Sequence, residues 1–149
     1  MTMDFRRRFG PRVTREEGDV ALPILWPGGP LAYPSDIGAE LTDAGLVADA
    51  NGNKYVRPGT VVVPDGAGAW RVAADTAAIT AAARVGILTE GLNMGGVTST
   101  LVAIYITGSF LDVRMPSLAD NAVMGLETAA RDAIVAKGQN FHFASQYDV

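Results

Sequence analysis

The chain has 149 residues, of which 48% are hydrophobic and 19% charged, with no cysteine and one histidine, His142. These values are typical of one compact globular domain and exclude an intrinsically disordered chain. The lack of cysteine excludes disulfide bonds, thiol catalysis and sulfur-ligated metal sites, and with so few metal ligands we expect no metal and no other cofactor.

Residues 1–35 are predicted to form an extended N-terminal arm. Five of the eight prolines lie in the first 34 residues, and proline removes a backbone donor and disfavours helices and central strands. The apolar side chains of residues 22–33 are costly to leave in water, so they lie on a partner or on the chain's own domain, and both readings stay open. The arm does not have the pattern of a signal peptide, and no apolar run reaches the length of a membrane span, so we expect synthesis in a cytoplasm.

The arm carries most of the basic charge. Residues 1–15 hold five arginines and one aspartate, a net charge of +4, whereas residues 16–149 hold seven basic and fifteen acidic side chains, a net charge of −8. Because the rest of the chain would repel nucleic acid, an acidic protein surface is favoured over nucleic acid as the partner, and a self-solvating disordered tail remains the alternative. Arginine forks bind carboxylates and aromatic rings anchor docked segments. The predicted partner-binding residues are Phe5, Arg6, Arg7, Arg8, Phe9, Arg12, Arg15 and Trp26.

Residues 36–149 are predicted to form a β-rich domain of mainly β (α+β) class. We expect a small mixed sheet or barrel-like domain, with one helix near the C-terminus. Turn residues flanked by β-branched or apolar residues predict hairpins, and alternation predicts strands. The elements expected in the first half are a hairpin of residues 46–47 with 55–56, a hairpin of 60–63 with 70–73, a short helix within 73–83, and a buried strand at 85–88.

The second half is predicted to continue with a loop at residues 91–96 and a central strand at 98–107, apolar on both faces. The elements expected after it are a half-buried strand at 110–115, a helix after Pro116 capped by Asp120 or Asn121 and ended by Gly138, and a last strand at 140–144 with Phe141 and Phe143 opposite His142.

A search for catalytic chemistry yields weak candidates. The serines lie in no G-x-S-x-G turn, and His142 has no acidic neighbour in sequence until Asp148, so we expect it to be structural or exposed. The other weak candidates are the acidic cluster Glu16, Glu17 and Asp19, the calcium-loop-like spacing of Asp49, Asn51 and Asn53, and the segment 74–77, which faintly resembles the Asp-Thr-Gly turn of aspartic proteases. The sequence therefore predicts a protein that is not an enzyme, with a small carboxylate-dependent hydrolase as the less favoured alternative.

Three segments resemble the lambda-type family of bacteriophage head decoration proteins. They are Ala83-Arg84-Val85-Gly86-Ile87-Leu88, the strand from Thr98-Ser99-Thr100-Leu101 to Tyr105, and Gly108-Ser109-Phe110. The order matches that of the family, in which a V-G-I-L-like strand, a glycine-bearing loop, a T-x-x-L strand and a G-x-F strand follow one another. The likeness covers roughly residues 54–149, and the N-terminal portion up to residue 53 is longer than the short arm of the family.

The resemblance implies a structural virion protein. Such proteins form homotrimers, bind the major capsid protein at local three-fold positions on the exterior of the capsid, and stabilise the mature head. The arm is then expected to add a strand to the capsid protein, and the protein is expected to be made in the host cytoplasm. Another virion component, such as a head fibre base or a tail tube or spike subunit, is the alternative within the same class.

Overall fold

The computed structural model describes residues 24–31 and 33–145. Within these residues the fold is mainly β with a closed barrel and a helix near the C-terminus, which confirms the predicted fold class. The arm stays a prediction over residues 1–23, which lie outside the described part. The elements are β1 (Asp36–Thr42), β2 (Tyr55–Val56), β3 (Val61–Pro64), β4 (Trp70–Val72), α1 (Thr76–Ala81), β5 (Gly86–Leu88), β6 (Leu92–Asn93), β7 (Ser99–Tyr105), β8 (Gly108–Leu111), a 3-10 helix (Asp112–Arg114), α2 (Thr128–Ala136) and β9 (Phe141–Ala144).

Five strands close into a barrel in the order β1-β4-β3-β5-β7. β1 pairs antiparallel with β7 over its whole length, from Asp36 opposite Tyr105 to Thr42 opposite Ser99, and it meets β4 in parallel. Closure gives each of these strands two neighbours, although β1 pairs with β4 only where Leu41 lies opposite Trp70. The interior is filled by buried side chains, namely Ala39, Leu41, Val56, Val62, Trp70, Leu88, Leu92, Met94 and Ile104.

A glycine in β5 makes room for the barrel interior. A β-carbon on Gly86 would lie 2.6 Å from Cδ1 and 3.3 Å from Cβ of Ile104. We expect Gly86→Ala to lower the free energy of unfolding by about 1–3 kcal/mol, because overpacking forces the core apart. Ile104→Val removes Cδ1, so the double variant should lose less stability than the sum of the two single variants. Urea unfolding followed by tryptophan fluorescence measures all three, and strictly additive losses would contradict the contact.

A second hydrophobic cluster lies between the outer wall of the barrel and the remaining elements. Side chains alternate along a strand, so Val62 of β3 belongs to the barrel interior while Val61 and Val63 belong to the second cluster. The outer wall at β3 and β5 is therefore covered, which explains why both strands are buried. The buried members of the second cluster are Ile24, Val61, Val63, Ala73, Ile79, Val85, Ile87, Phe110, Met115, Leu126, Ala130, Ile134 and Phe141.

Several predicted elements are confirmed. β3 and β4 form the expected hairpin, and in its turn the Asp65 carboxylate accepts hydrogen bonds from the backbone N–H groups of Ala67 and Ala69, at 2.8 and 3.1 Å. The short helix, the buried strand at β5 and the last strand at β9 are also present. β9 pairs in parallel with β8.

The first predicted hairpin is wrong, because β2 pairs antiparallel with β6 and not with residues 46–47. Asn93 explains the choice: its side-chain oxygen accepts hydrogen bonds from the backbone N–H groups of Lys54 and Gly95 at 3.0 and 2.9 Å. The segment 91–96, predicted as a loop, therefore contains a short strand. Val56 and Leu92 bring this pair into the barrel core, an advantage that local turn chemistry does not reveal.

The predicted strand at residues 110–115 and the start of the predicted C-terminal helix are also wrong. The strand ends at Leu111 and turns into the 3-10 helix, and α2 begins at Thr128 instead of after Asp120 or Asn121. The side chain of Asn121 is used elsewhere, since its oxygen accepts from the backbone N–H of Arg57 at 2.9 Å and its amide donates to Thr60 Oγ1 at 2.9 Å. α2 ends just before Gly138, which has a φ of 67°.

β7 is central but is not buried on both faces as predicted. It pairs with β1 and with β5. Ile104 points into the barrel and is fully buried, whereas Leu101, on the opposite face, is 83% exposed. The second cluster covers the outer wall at β3, β5 and the Tyr105 end of β7, and it leaves the rest of β7 open.

Candidate interaction surface

Of the predicted partner-binding residues, Trp26 alone falls in the described part of the chain. Phe5, Arg6, Arg7, Arg8, Phe9, Arg12 and Arg15 lie outside it, as do the acidic residues Glu16, Glu17 and Asp19. Their predicted roles therefore stay predictions, and so does the domain boundary at residue 35.

Trp26 lies against the chain's own domain. Its backbone N–H donates to the carbonyl oxygen of Ser109 at 2.9 Å, and the next contact along β8 is the N–H of Leu111 donating to the carbonyl oxygen of Ile24 at 2.7 Å. Ser109 Oγ also accepts from the backbone N–H of Leu31 at 2.9 Å. Of the two open readings for residues 22–33, packing on the own domain thus applies to residues 24–26, while Trp26 is half-buried.

The weak catalytic candidates are engaged in local structure. The Asp49 carboxylate accepts from the backbone N–H groups of Asn51 and Asn53, both at 2.9 Å, and Asp75 caps α1 by accepting from the N–H of Ala78 at 2.8 Å. His142 Nε2 lies 2.8 Å from Asn140 Oδ1. Within residues 24–31 and 33–145, no three His, Asp or Glu side chains converge as a metal site would require. The helices in the same ranges are too short or too polar to span a membrane.

The most exposed part of the barrel wall is the outer face of the β1–β7 pair. Directly opposed residues in an antiparallel pair place their side chains about 4.5–5.5 Å apart on one face. The outward pairs are Asp36 with Tyr105, Gly38 with Ala103 and Glu40 with Leu101. A β-carbon on Gly38 would meet nothing within 4 Å, so the surface between the carboxylates of Asp36 and Glu40 is open and shallow.

A cleft of about 650 Å³ borders this face and adds a third carboxylate, Glu90. The loop that carries Glu90 is held to β7, because the N–H and the hydroxyl of Thr89 both donate to the carbonyl oxygen of Ala103, at 3.2 and 3.1 Å. Among the residues of the described part of the chain that line this cleft are Asp36 and Glu90, and none of them is basic. We call this surface the acidic face, and its residues are Asp36, Gly38, Glu40, Glu90, Leu101 and Ala103.

The negative charge of the acidic face affects the pKa of Tyr105. Burial raises the pKa of its phenol, and the nearby carboxylates of Asp36 and Glu90 raise it further. Across the described residues, no hydrogen bond or ion pair engages the carboxylates of Asp36, Glu40 or Glu90. With respect to the described residues, the acidic face therefore holds unpaired negative charge beside an exposed leucine, an arrangement suited to a ligand that is both basic and apolar.

The acidic face is the feature that our sequence reasoning missed. A signal was present, because residues 36–41 alternate between Asp36, Gly38 and Glu40 on one side and Ile37, Ala39 and Leu41 on the other. That pattern is typical of a strand with one face in a core. What no local pattern contains is the pairing of this strand with β7, which sets Leu101 beside Glu40.

No protein-family model matches the chain, and no curated protein is significantly similar to it.

Proposed function

We propose that the protein is a structural component of a tailed-phage virion that binds the outer surface of the capsid as a homotrimer at local three-fold positions. In this role it stabilises the mature head and performs no catalysis. The proposal starts from the resemblance of three segments to head decoration proteins, and what supports it in the structure is where those segments lie. They form β5, β7 and β8, which meet around one core.

The glycines of the resembling segments have structural roles in the packing. Gly86 in the V-G-I-L segment faces Ile104 of β7 inside the barrel. Gly108 in the G-x-F segment has a φ of 147°, and a β-carbon there would lie 2.9 Å from the ring of Phe110 and 2.9 Å from Cβ of Pro34. The observation that carries the proposal is that the three motifs belong to one packing unit.

Exposed apolar side chains are consistent with a protein that works by association. Tyr33, Val47 and Leu101 are 89%, 88% and 83% exposed. Large side chains of this kind are stabilised when a partner covers them. A trimer that touches several capsid subunits binds the assembled lattice more tightly than it binds dissociated subunits, so by mass action it holds the shell together.

The test is an add-back experiment on heads stripped of their decoration. Purified protein should have about three times the chain mass of 15.6 kDa in solution, sediment with the stripped heads, and raise the temperature at which they release DNA. Serum albumin at the same concentration is the control. Failure to sediment with heads, or an unchanged release temperature, would refute the proposal, and electron microscopy of decorated particles would place a protein of the tail or of a fibre elsewhere.

A further inference from the structure

We infer that the acidic face of one copy binds the basic segment, residues 5–15, of a second copy. This inference does not rest on the proposed function. It gives the arm a partner different from the capsid protein that the resemblance implies, namely another copy of the same chain.

The shape and charge of the acidic face suit an extended basic segment. Asp36 and Glu40 lie four residues apart on one strand, a separation of about 13 Å at the usual rise per residue. Between them the floor consists of Gly38 and Ala103, whose small size lets a bound chain approach closely. Leu101 offers apolar surface opposite Glu40, and it is 83% exposed in the single chain.

The segment 5–15 matches the acidic face in both charge and apolar character. It carries five arginines and two phenylalanines, so it supplies both guanidinium groups for the carboxylates and rings for the leucine. Arginine binds carboxylates through paired, charge-assisted hydrogen bonds. Apart from residues 1–15 the chain has a net charge of −8, so this segment is the one strongly basic stretch in the sequence.

The segment that binds the acidic face comes from a second copy. The described chain begins at Ile24, which is hydrogen-bonded to β8 in the second cluster. Among residues 24–31 and 33–145 nothing covers the acidic face, where Leu101 is 83% exposed and a β-carbon on Gly38 would meet nothing within 4 Å. Each copy can donate its basic segment and accept the segment of another copy, so that both surfaces are used at once. The affinity of this contact is raised by the high local concentration of copies in an assembly.

Engineered cysteines test this contact directly, because the natural chain has none. One full-length copy carries Val13→Cys in the basic segment and a second carries Ala103→Cys in the acidic face. The control partner carries Val135→Cys, which is 51% exposed on α2. After mixing in mild oxidant, the 13–103 disulfide-linked dimer should form severalfold faster than the 13–135 dimer.

Charge variants give an independent readout. The triple variant Asp36→Asn, Glu40→Gln and Glu90→Gln, made on the Ala103→Cys copy, should reduce the 13–103 yield to that of the control. Raising the salt from about 0.01 M to about 1 M shortens the Debye length from about 30 Å to about 3 Å. This screening should also reduce the yield of the 13–103 dimer to that of the control.

Three results would overturn the inference. Equal rates for the 13–103 and 13–135 dimers, or a 13–103 rate that ignores the charge variant, would exclude the acidic face as the partner. A disulfide that forms within a chain carrying both cysteines, with none between chains, would exclude the second copy. None of these outcomes depends on whether heads are stabilised, so the inference can fail while the proposed function stands.

Discussion

Replacing Phe110 by alanine is expected to lower the free energy of unfolding by about 3–5 kcal/mol, the usual loss for a large aromatic core residue. Phe110 is fully buried. Its ring centroid lies 5.5 Å from that of Tyr105, 5.8 Å from that of Phe141 and 6.1 Å from that of Phe143. The truncation therefore removes contacts that join β7, β8 and β9, and the cavity cannot close without moving all three strands.

Phe110→Leu is the matched control, because it keeps most of the apolar volume and removes only the ring. It should lose clearly less than the alanine variant, and chemical unfolding followed by circular dichroism compares the two with the natural chain. A loss below about 1.5 kcal/mol for Phe110→Ala, the range of volume-conserving changes, would mean that the ring is not a core element. The result matters for function because Phe110 belongs to the G-x-F segment on which the resemblance rests.

Replacing Arg131 by methionine is expected to lower the free energy of unfolding by about 2–3 kcal/mol, because it leaves a buried carboxylate without its cation. Asp112 is 5% exposed, and its Oδ2 atom accepts from Arg131 Nη1 and from Ser145 Oγ, both at 3.0 Å. The hydrogen bond to Asp112 raises the pKa of Arg131. The expected loss is below that of a fully buried pair, since the Arg131 side chain is 27% exposed.

The same arginine provides the control. Its Nε lies 3.5 Å from Asp132 Oδ1, and the Asp132 side chain is 67% exposed, so Asp132→Asn should cost less than about 0.5 kcal/mol. The double variant Asp112→Asn with Arg131→Met should recover part of the loss, because no buried charge remains. If Arg131→Met and Asp132→Asn cost the same in thermal unfolding, the pair with Asp112 is not a structural link. That link joins the 3-10 helix, α2 and the residue that follows β9.

Local sequence patterns predicted the structure correctly where residues that contact one another are also close in sequence. The hairpin of β3 and β4 follows from the turn at Asp65, and the short helix follows from alanines behind Asp75. The strand at β5 was recognisable as a continuous apolar run. In each case the hydrogen bonds that define the element close over a few residues, so propensity and turn chemistry contain most of the information.

Patterns misled where a distant segment supplied a better partner. The turn at Asp49 forms, yet the strand that follows it pairs with the segment that contains Asn93 and not with residues 46–47. Asn121 resembled a helix cap, but its amide holds Arg57 and Thr60 together. Side-chain amides satisfy backbone groups across long separations as well as locally, and no local rule ranks the two uses.

The sequence by itself determined the fold class, the division of charge between residues 1–15 and the rest, and the absence of thiol chemistry, because these depend on composition and short-range periodicity. Only the tertiary structure decided that β1 closes the barrel against β7, and that Asp36, Glu40 and Glu90 lie on the same outer surface as Leu101. The alternation of side chains along a strand specifies which of them share a face, but it does not specify which other strand pairs with that strand. The acidic face is a product of that pairing, since its residues come from segments about sixty positions apart.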